Sequence, residues 1–338
     1  MSSVTHPRSF VAPAQPGNLY PFSATRAVED IRVGILTIRE KWELLLADVP
    51  VGSNEPIRLP SWILPNRQNR QALLGGEWTG SHPRLDKPWD IFTHNQAALI
   101  DDFELITAGR TGSTPDISNH CLDPGNIFIE PGARVMHSIL NAEQGPIYIG
   151  RNAEVMEGCL IRGPFSMGEG AVLKMGAKVY GATTIGPYCI AAGEIKNSVL
   201  MGYSNKAHDG YLGDSVIGAW CNLGAGTTNS NMRNTASAVR VWNNVSHQFE
   251  PAGLKCGLLM GDYSRSAINT SFNTGTVVGV CCHVFGDTMP PKHVADFSWG
   301  NARYDLERAF RDIRAWKALK GHTLTLDEED ILKRIYHQ

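Results

Sequence analysis

The chain has 338 residues, with 31 Lys and Arg against 33 Asp and Glu, giving a formal net charge of −2. This length is enough to bury a large core without disulfides or metals. A nearly neutral chain lacks the concentrated basic charge typical of nucleic-acid or anionic-membrane binding, so we expect neither partner. The N-terminus has no secretory apolar segment, no stretch is apolar enough to span a membrane, and the seven cysteines are scattered, so we expect a cytoplasmic protein with reduced thiols.

In chain order, residues 1–18 are rich in Pro and Ser, which predicts a disordered tail. The region 19–115 opens with a strand-like run that passes into a helix, and the apolar spacing of Asn95–Thr107 predicts another helix. We interpret 19–115 as a small α/β segment. At the other end, residues 299–338 carry two amphipathic patterns, which predict C-terminal helices.

Residues 120–298, between these segments, carry a sequence period of six. From Ile149 to Ile185 every sixth residue is aliphatic, and Gly150, Gly168 and Gly186 repeat with a period of 18. Three hexads therefore make one coil. A period this short excludes helical solenoids and predicts an all-β solenoid, a parallel β-helix shaped as a triangular prism with one inward aliphatic residue on each side.

The period breaks twice, over 197–210 and over 229–257. Because a repeat scaffold places loops where its period fails, we expect inserted loops there and look for the site in them. Within the second break, Val239, Val241 and Phe249 alternate with polar residues in a way that predicts a hairpin.

His208 lies in the first break, next to Asp209. An imidazole titrates near neutral pH and can act as a general base. A histidine in an exposed loop more often has no function, so its position alone does not make His208 catalytic. The residues around His208 have to show whether it belongs to an active site.

Those residues form a recognisable series. Glu194–Asn231 contains, in order, an E-I-K element, a histidine three residues before Y-L-G-D, and a G-A-G-T turn followed by asparagine. In these motifs it resembles the acetyltransferase half of the bifunctional N-acetylglucosamine-1-phosphate uridylyltransferase/glucosamine-1-phosphate acetyltransferase family. The resemblance implies a left-handed β-helix of the hexapeptide-repeat type, acetyl-CoA as co-substrate, no metal, and a homotrimer.

The same resemblance implies roles for individual residues. His208 and Asn231 match catalytic positions. The residues that match substrate-binding positions are Lys174, Lys196, Tyr211, Asn222 and Lys255. The residues that match coenzyme-binding positions are Gly224, Ala225, Gly226, Ile268 and Gly286. Two positions depart from the family pattern: Lys174 replaces the usual arginine, which loses a bidentate phosphate contact, and Met232 replaces a tyrosine that contacts the sugar.

The front of the chain carries a second resemblance. Leu19–Glu43 and Lys87–Thr107 are similar to a group of sugar nucleotidyltransferases that carry the same β-helix behind them. Only about 45 residues separate the two segments, too few for several βαβ units, and 1–18 contains a single glycine where a phosphate-binding loop is expected. We interpret this part as a shortened nucleotidyltransferase-like region in which Arg26 and Lys41 could still contact a sugar nucleotide.

Three functions follow from these patterns. The first is a CoA-dependent acyltransferase acting on an amino or hydroxy group of a sugar phosphate or nucleotide sugar, with a glucosamine-1-phosphate-like acceptor. The second is a sugar-1-phosphate nucleotidyltransferase, and the third is a non-catalytic scaffold that binds a sugar nucleotide. A zinc hydratase on a similar prism is set aside because no histidine pair or cysteine cluster has the spacing of a zinc site.

Overall fold

The computed structural model describes residues 9–11, 16–49, 58–75 and 82–338. Most of the expected tail, 1–18, therefore lies outside the described residues. Within the described ranges, the largest unit is a triangular prism of stacked coils whose strands pair in parallel, except for the last one, Ala302–Arg303, which pairs antiparallel. The predicted fold class, a left-handed parallel β-helix of the hexapeptide-repeat type, is confirmed. We name its faces A, B and C in the order in which the chain visits them from Ile127 onward, and the turns between them corners AB, BC and CA.

Face A is a nine-stranded sheet and face B a ten-stranded sheet. The strands of face A are Ile127–Ile129, Ile147–Ile149, Phe165–Met167, Thr183–Ile185, Val199–Gly202, Val216–Ala219, Leu258–Met260, Thr276–Val278 and His293–Val294. The strands of face B are Arg134–Val135, Glu154–Val155, Val172–Leu173, Ile190–Ala191, Asn205–Lys206, Asn222–Leu223, Arg265–Ser266, His283–Val284, Ser298–Trp299 and Ala302–Arg303.

Face C is a six-stranded sheet that a separate strand pair continues. Its strands are His120–Leu122, Ile139–Asn141, Leu160–Arg162, Lys178–Tyr180, Glu194–Lys196 and Tyr211–Gly213, and the added pair is Thr228–Asn229 with Ser271–Phe272. The Asn229 side chain exchanges hydrogen bonds with the Gly213 backbone at 3.0 and 3.1 Å, which stacks this pair on the sheet. Outward side chains of face C, such as Ile139 and Leu160, are 42% and 46% exposed.

The period of six arises from the inward residues of successive strands. Met167, Leu173 and Val179 come from the three faces of one coil, and each is at most 1% exposed. In register, Met167 pairs with Ile185 of the next coil. Burying one such aliphatic side chain contributes about 1.5–3 kcal/mol, so the prism interior is the main stabilising core of the repeat.

The glycine period of 18 has a steric cause at corner AB. A Cβ on Gly150 would lie 2.7 Å from the carbonyl carbon of Gly168, and one on Gly168 would lie 2.6 Å from the nitrogen of Pro187. The corner backbones of neighbouring coils therefore stack too closely for a side chain, and glycine is the residue that permits this approach.

The first break in the period is a coil of the prism, so the prediction of an inserted loop over 197–210 is wrong. This stretch contains the strands Val199–Gly202 of face A and Asn205–Lys206 of face B. Ile185 pairs with Leu200, which is 15 residues further on instead of 18. The corners are shortened while the strands persist, and that shortening disrupts the period.

The second break, 229–257, does leave the prism and contains the predicted hairpin. Its strands, Arg240–Asn243 and Gln248–Pro251, pair antiparallel. On one side of the hairpin Val239 and Val241 are fully buried. The hairpin is therefore anchored in a packed core and is not a free loop.

The N-terminal segment covers face A. It contains the helices α1 (Ile38–Leu45), α2 (Arg67–Leu74), α3 (Asp90–Thr93) and α4 (Asn95–Thr107), the 3-10 turns Pro16–Leu19 and Val28–Asp30, and the parallel strands Ser9–Val11 and Arg58–Pro60. Apolar side chains from this segment share one core with the outer side of face A, including Val199, Val216 and Val277. The Asn95 amide also donates to the carbonyl of Ala182 at 2.9 Å.

Two helices end the chain, α5 (Leu306–Ala318) and α6 (Leu326–His337). α6 begins with a capping box in which Thr325 and Glu328 bond each other's backbone N–H groups. Both helices pack on corner AB, where Tyr263 and Phe297 contribute to a separate core. In the described part of the chain, no helix has the length and apolarity needed to cross a bilayer.

Candidate active site

His208 lies at corner BC, directly after the face B strand Asn205–Lys206. Its side chain is exposed, and no hydrogen bond joins its imidazole to the described residues. Its backbone is held from inside the prism, because the ammonium of Lys206 donates to the carbonyls of His208 and of Ala192, the latter at 3.4 Å. An exposed imidazole on a fixed backbone can accept a proton from a bound ligand.

The G-A-G turn stacks on the His208 corner. The N–H of Gly226 donates to the carbonyl of Asp209 at 3.1 Å. On the opposite side, the N–H of Asn269 donates to the carbonyl of Ala225 at 2.6 Å. A Cβ on Gly224 would lie 2.4 Å from the Ala267 carbonyl, so this turn too requires close backbone stacking.

The residues matched to coenzyme binding therefore follow one edge of the prism. The N–H of Ala267 donates to the carbonyl of Val284 at 2.8 Å, which puts Ile268 and Gly286 in equivalent turns of successive coils. With His208, all of them lie along corner BC. The structure thus brings these predicted residues onto a single edge.

A polar group of side chains lies where face C meets corner CA. The side-chain amide of Asn231 donates to the hydroxyl of Tyr211 at 3.0 Å and also to the carboxylate of Asp214. The amide of Asn197 donates to the other oxygen of that carboxylate at 2.7 Å. Burial, and then the negative charge of Asp214, raise the pKa of Tyr211 well above its usual range, so its hydroxyl keeps its proton.

The preceding coil extends this group across face C. Tyr180 pairs in register with Lys196, and the Lys196 ammonium lies 5.8 Å from the centre of the Tyr180 ring. The Tyr180 hydroxyl donates to Glu194 at 2.6 Å, and this hydrogen bond raises the pKa of Tyr180 to about 12. We call Tyr180, Glu194, Lys196, Tyr211, Asp214 and Asn231 together the face C cluster.

Lys255 reaches the same corner from the end of the second break. It forms an isolated antiparallel bridge with Met232, and the next residue, Cys256, donates its N–H to the carbonyl of Asn231 at 2.9 Å. The matched Lys255 and Asn231 are thus neighbours. Met232, which replaces the family tyrosine, is 41% exposed beside them.

Lys174 lies at corner BC, two coils before the His208 turn. Its N–H donates to the carbonyl of Ala191, which places Lys174 above Ala192 in the stack. Two coils correspond to about 10 Å along the prism. Lys174 therefore shares the edge of His208 and lies outside the face C cluster.

Within the chain, Asn222 lies apart from the other matched substrate-binding residues, and its assignment stays a prediction. It lies on face B, where it pairs in register with Arg265, and the amide of Asn205 donates to its side-chain oxygen at 3.4 Å. The ammonium of Lys320, just after α5, approaches Asn205 at 3.3 Å. Asn222 is thus part of a polar contact under the C-terminal helices.

Sequence reasoning missed Tyr180, Glu194 and Asp214 as members of the site. A signal existed for the last two, since Glu194 begins the E-I-K element and Asp214 ends Y-L-G-D. Tyr180 carries no motif, and only its register with Lys196 reveals it.

The two front residues expected to contact a sugar nucleotide have structural partners instead. The guanidinium of Arg26 pairs with Asp262 at corner AB, and the Thr25 hydroxyl donates to the same carboxylate at 2.6 Å. Lys41 is 1% exposed and lies 3.1 Å from the equally buried Asp102. Both cations therefore hold the front segment in place. The burial of Lys41 contradicts its expected contact with a sugar nucleotide, whereas for Arg26 that contact stays a prediction.

Comparisons with known proteins agree with the motifs. A family model described as sugar nucleotidyl transferase matches residues 12–54. Bifunctional protein GlmU of Methanocaldococcus jannaschii is 28% identical over 232 residues, which cover 66% of this chain and 47% of that relative. A bifunctional sugar-1-phosphate nucleotidylyltransferase/acetyltransferase of Sulfurisphaera tokodaii is 28% identical over 262 residues, 75% of this chain and 57% of the relative.

The predicted resemblance to this bifunctional family is confirmed. Bifunctional protein GlmU of Bordetella parapertussis is likewise 28% identical over 243 residues, with coverage of 62% and 50%. The chain spans about half the length of the curated relatives it matches. Over the described ranges, no three His, Cys, Asp or Glu side chains converge closely enough to hold a metal ion.

Proposed function

We propose that the chain is a CoA-dependent acyltransferase that acetylates an amino or hydroxy group of a sugar phosphate or nucleotide sugar. The observation that carries the proposal is the stacking of the His208 turn on the Gly224–Gly226 turn, joined by the 3.1 Å hydrogen bond from Gly226 to Asp209. This contact sets a proton acceptor beside a backbone edge suited to the coenzyme, with the face C cluster on the adjoining face.

The proposed chemistry uses His208 as the general base. The acceptor amine attacks the carbonyl carbon of the acetyl thioester, a C–N bond forms, and His208 takes the amine proton. The C–S bond then breaks, and the departing thiolate receives that proton from the imidazolium. Asn231, which the family resemblance makes catalytic, would stabilise the developing oxyanion through its side-chain amide once the acceptor displaces one of the two groups to which that amide now donates, Tyr211 and Asp214.

Three lysines and a tyrosine would hold the acceptor. Lys196 and Lys255 provide positive charge near Asn231, and Lys174 provides it along corner BC. Cationic side chains around a phosphate orient the sugar and convert a collision of two substrates into a reaction within one complex. Tyr211 would contact the sugar through its hydroxyl.

Acetyl-CoA would lie along corner BC. Three apolar side chains are exposed on this edge: Met175 at 70%, Ile268 at 69% and Phe285 at 46%. An apolar strip that water contacts in a single chain is typical of a surface that a ligand or a second subunit covers. We therefore propose a cytoplasmic homotrimer with the coenzyme between subunits, which a mass measurement in solution tests.

A thiol-release assay tests the proposed function. The protein is incubated with acetyl-CoA and a panel of amino-sugar phosphates and nucleotide sugars, and free CoA thiol is followed over time. Loss of a general base lowers the rate by about 10²- to 10⁴-fold, so His208→Ala should show that loss with the acceptor that works. His120→Ala, which removes another exposed histidine from face C, is the matched control and should keep the wild-type rate.

Equal thiol release by wild type and His208→Ala, or no thiol release with any acceptor, would contradict the proposed acyltransferase function.

A second candidate function is sugar-1-phosphate nucleotidyl transfer, which the family model over residues 12–54 favours. Pyrophosphate release from UTP or dTTP with sugar 1-phosphates tests it. The ion pairs of Arg26 and Lys41 count against it. Ligand binding without either reaction would leave a non-catalytic scaffold.

A further inference from the structure

A concave site lies next to the face C cluster, between the insertion hairpin and the prism. It is a cavity of about 730 Å³, which we call the insertion cavity. Its volume is within the range of about 300–1,000 Å³ that small-molecule sites usually have. It is lined by the hairpin, by residues just after Asn231, and by Asn273 and Thr274 of the prism.

One wall of the insertion cavity is aromatic. Trp242 and Phe249 pack edge to face across the hairpin with their ring centres 5.4 Å apart, and the His247 ring centre lies 6.1 Å from that of Trp242. Behind this wall, Trp242 stacks on His293 at 4.5 Å with the planes 15° apart. The stack fixes the indole, so the wall offers a rigid surface for a planar ring.

The cavity is also positively charged, because three cations line it: Arg233, Arg240 and Lys292. Their hydrogen-bond partners are backbone carbonyls: Lys292 donates to the carbonyl of Arg240 at 2.8 Å, Arg240 to that of Phe249, and Arg233 to that of Ala238 at 3.4 Å. None of the three forms an ion pair with a carboxylate of the described residues.

This positive charge is uncompensated. Burial, followed by the nearby charge of Arg233 and also that of Arg240, lowers the pKa of Lys292. The closest hairpin carboxylate, Glu250, is already paired with Lys87 and bonded by the amide of Asn243 at 2.8 Å. Cations that crowd one another without a counter-charge are suited to a dianion such as a pyrophosphate.

The cavity adjoins the proposed acceptor site. Ser230 and Met232, which line it, flank Asn231 of the face C cluster in the chain. A ligand lying across both would present its charged and planar parts to the hairpin and its sugar to Tyr211. A nucleotide sugar has its groups in this order: a base, a diphosphate and a sugar.

We propose that the insertion cavity binds the nucleoside diphosphate part of a nucleotide-sugar acceptor, with the base against Trp242 and Phe249 and the diphosphate on Arg233, Arg240 and Lys292. This rests on the proposed acyltransferase function and narrows its acceptor from sugar phosphates to nucleotide sugars. Asn273 and Thr274 supply polar groups for the ribose.

Coenzyme A also carries a nucleotide with phosphates, and the location argues against it as the occupant. The edge proposed for the coenzyme is corner BC, where Ile268 precedes the strand Ser271–Phe272. The insertion cavity contacts the residues after that strand, Asn273 and Thr274, at the other edge of face C. The width of face C thus separates the two.

Calorimetric titration with UDP, without acetyl-CoA, tests the proposal. Wild type should bind UDP, and the double variant Arg233→Gln/Lys292→Gln should bind it at least tenfold more weakly. Arg151→Gln, which removes an exposed cation from the prism, is the control and should bind as wild type does. Adenosine 3′,5′-bisphosphate, the nucleotide end of coenzyme A, serves as the competing probe and should be unaffected by the double variant.

Undetectable UDP binding, or equal UDP affinity in the double variant and wild type, would overturn the proposal. So would a double variant that loses the adenosine bisphosphate and keeps UDP, because the cavity would then belong to the coenzyme. None of these results depends on turnover. Failure of the acyltransferase proposal appears separately, as thiol release that His208→Ala leaves unchanged.

Discussion

The side-chain amide of Asn231 bonds the Tyr211 hydroxyl at 3.0 Å and at the same time bonds Asp214. A Cβ on Gly213 would lie 2.1 Å from that hydroxyl, so the tyrosine lies flat across a glycine and the amide fixes its outer end. One asparagine therefore holds both the proposed sugar contact and a neighbouring carboxylate. Its own amide lies on the face where the acceptor is expected.

The first prediction concerns this asparagine. Asn231→Ala frees Tyr211 and removes the proposed oxyanion donor, so we expect the second-order rate constant for thiol release to fall by about 10²- to 10³-fold. Steady-state kinetics with the active acceptor provide the measurement. Asn301→Ala, which removes an exposed asparagine from the turn between the last two strands of face B, is the matched control and should keep activity within about twofold. A comparable loss of activity in both variants would contradict the specific role of Asn231.

The second prediction concerns Lys206, a charged residue in the prism interior. Its side chain is 1% exposed and occupies the inward position paired with Ala191. Burial lowers its pKa to about 8. Because this folded value lies below the ordinary value of about 10.5, the protonated form costs stability at neutral pH, and the cost fades between about pH 8 and pH 10.5.

Lys206→Met should therefore raise the free energy of unfolding by about 1–3 kcal/mol at pH 7, with the gain shrinking toward pH 10. Thiol release should fall, because the His208 carbonyl loses the ammonium that holds its turn. Denaturant unfolding at pH 7 and pH 10 measures the first effect. Lys178→Met, an exposed lysine of face C, should show neither effect. A gain in stability that does not change with pH would show that the charge of Lys206 is not its cause.

The prism could be predicted because its period records a steric rule that holds in every coil. Met167 and Ile185 pair because both point inward, and Gly168 is required because its corner stacks on the next one. The prediction from the period was wrong at 197–210. The spacing between aliphatic residues changes both when a loop is added to a coil and when the corners of a coil lose residues, so the sequence does not distinguish the two. Leu200 keeps the inward position of face A although it comes 15 residues after Ile185.

Site residues could be predicted where a motif stays on one edge or face. Tyr211 and Asn231 are 20 residues apart, slightly more than one coil, and they meet at corner CA. Asn222 comes only 11 residues after Tyr211, less than one coil, and therefore lies on face B. Counting residues around the coil would have predicted this position. The insertion cavity could not be predicted, because Lys292 reaches Arg240 across 52 residues of separation that no repeat fixes.

The third prediction tests whether the front segment is structural. Lys41 of α1 and Asp102 of α4 are each 1% exposed, and the carboxylate also accepts the N–H of Ile35 at 2.8 Å. Removing one partner of a buried ion pair leaves an uncompensated charge, which typically costs about 3–5 kcal/mol. Lys41→Met should lower the free energy of unfolding by that amount at pH 7. It should lower it less at pH 5, because the isolated Asp102 carboxyl then takes up a proton more readily in the folded state.

The control for Lys41→Met comes from the same helix. Arg39 pairs with Asp30 at 2.6 Å, but its side chain is 37% exposed, so Arg39→Met should cost less than about 1 kcal/mol. Folded Lys41→Met should release thiol at the wild-type rate, because α4 packs on face A and the proposed site lies on face C and corner BC. If Lys41→Met instead folds with normal stability and loses a nucleotidyl-transfer activity present in wild type, Lys41 is a substrate-binding residue and the front segment is a second active site.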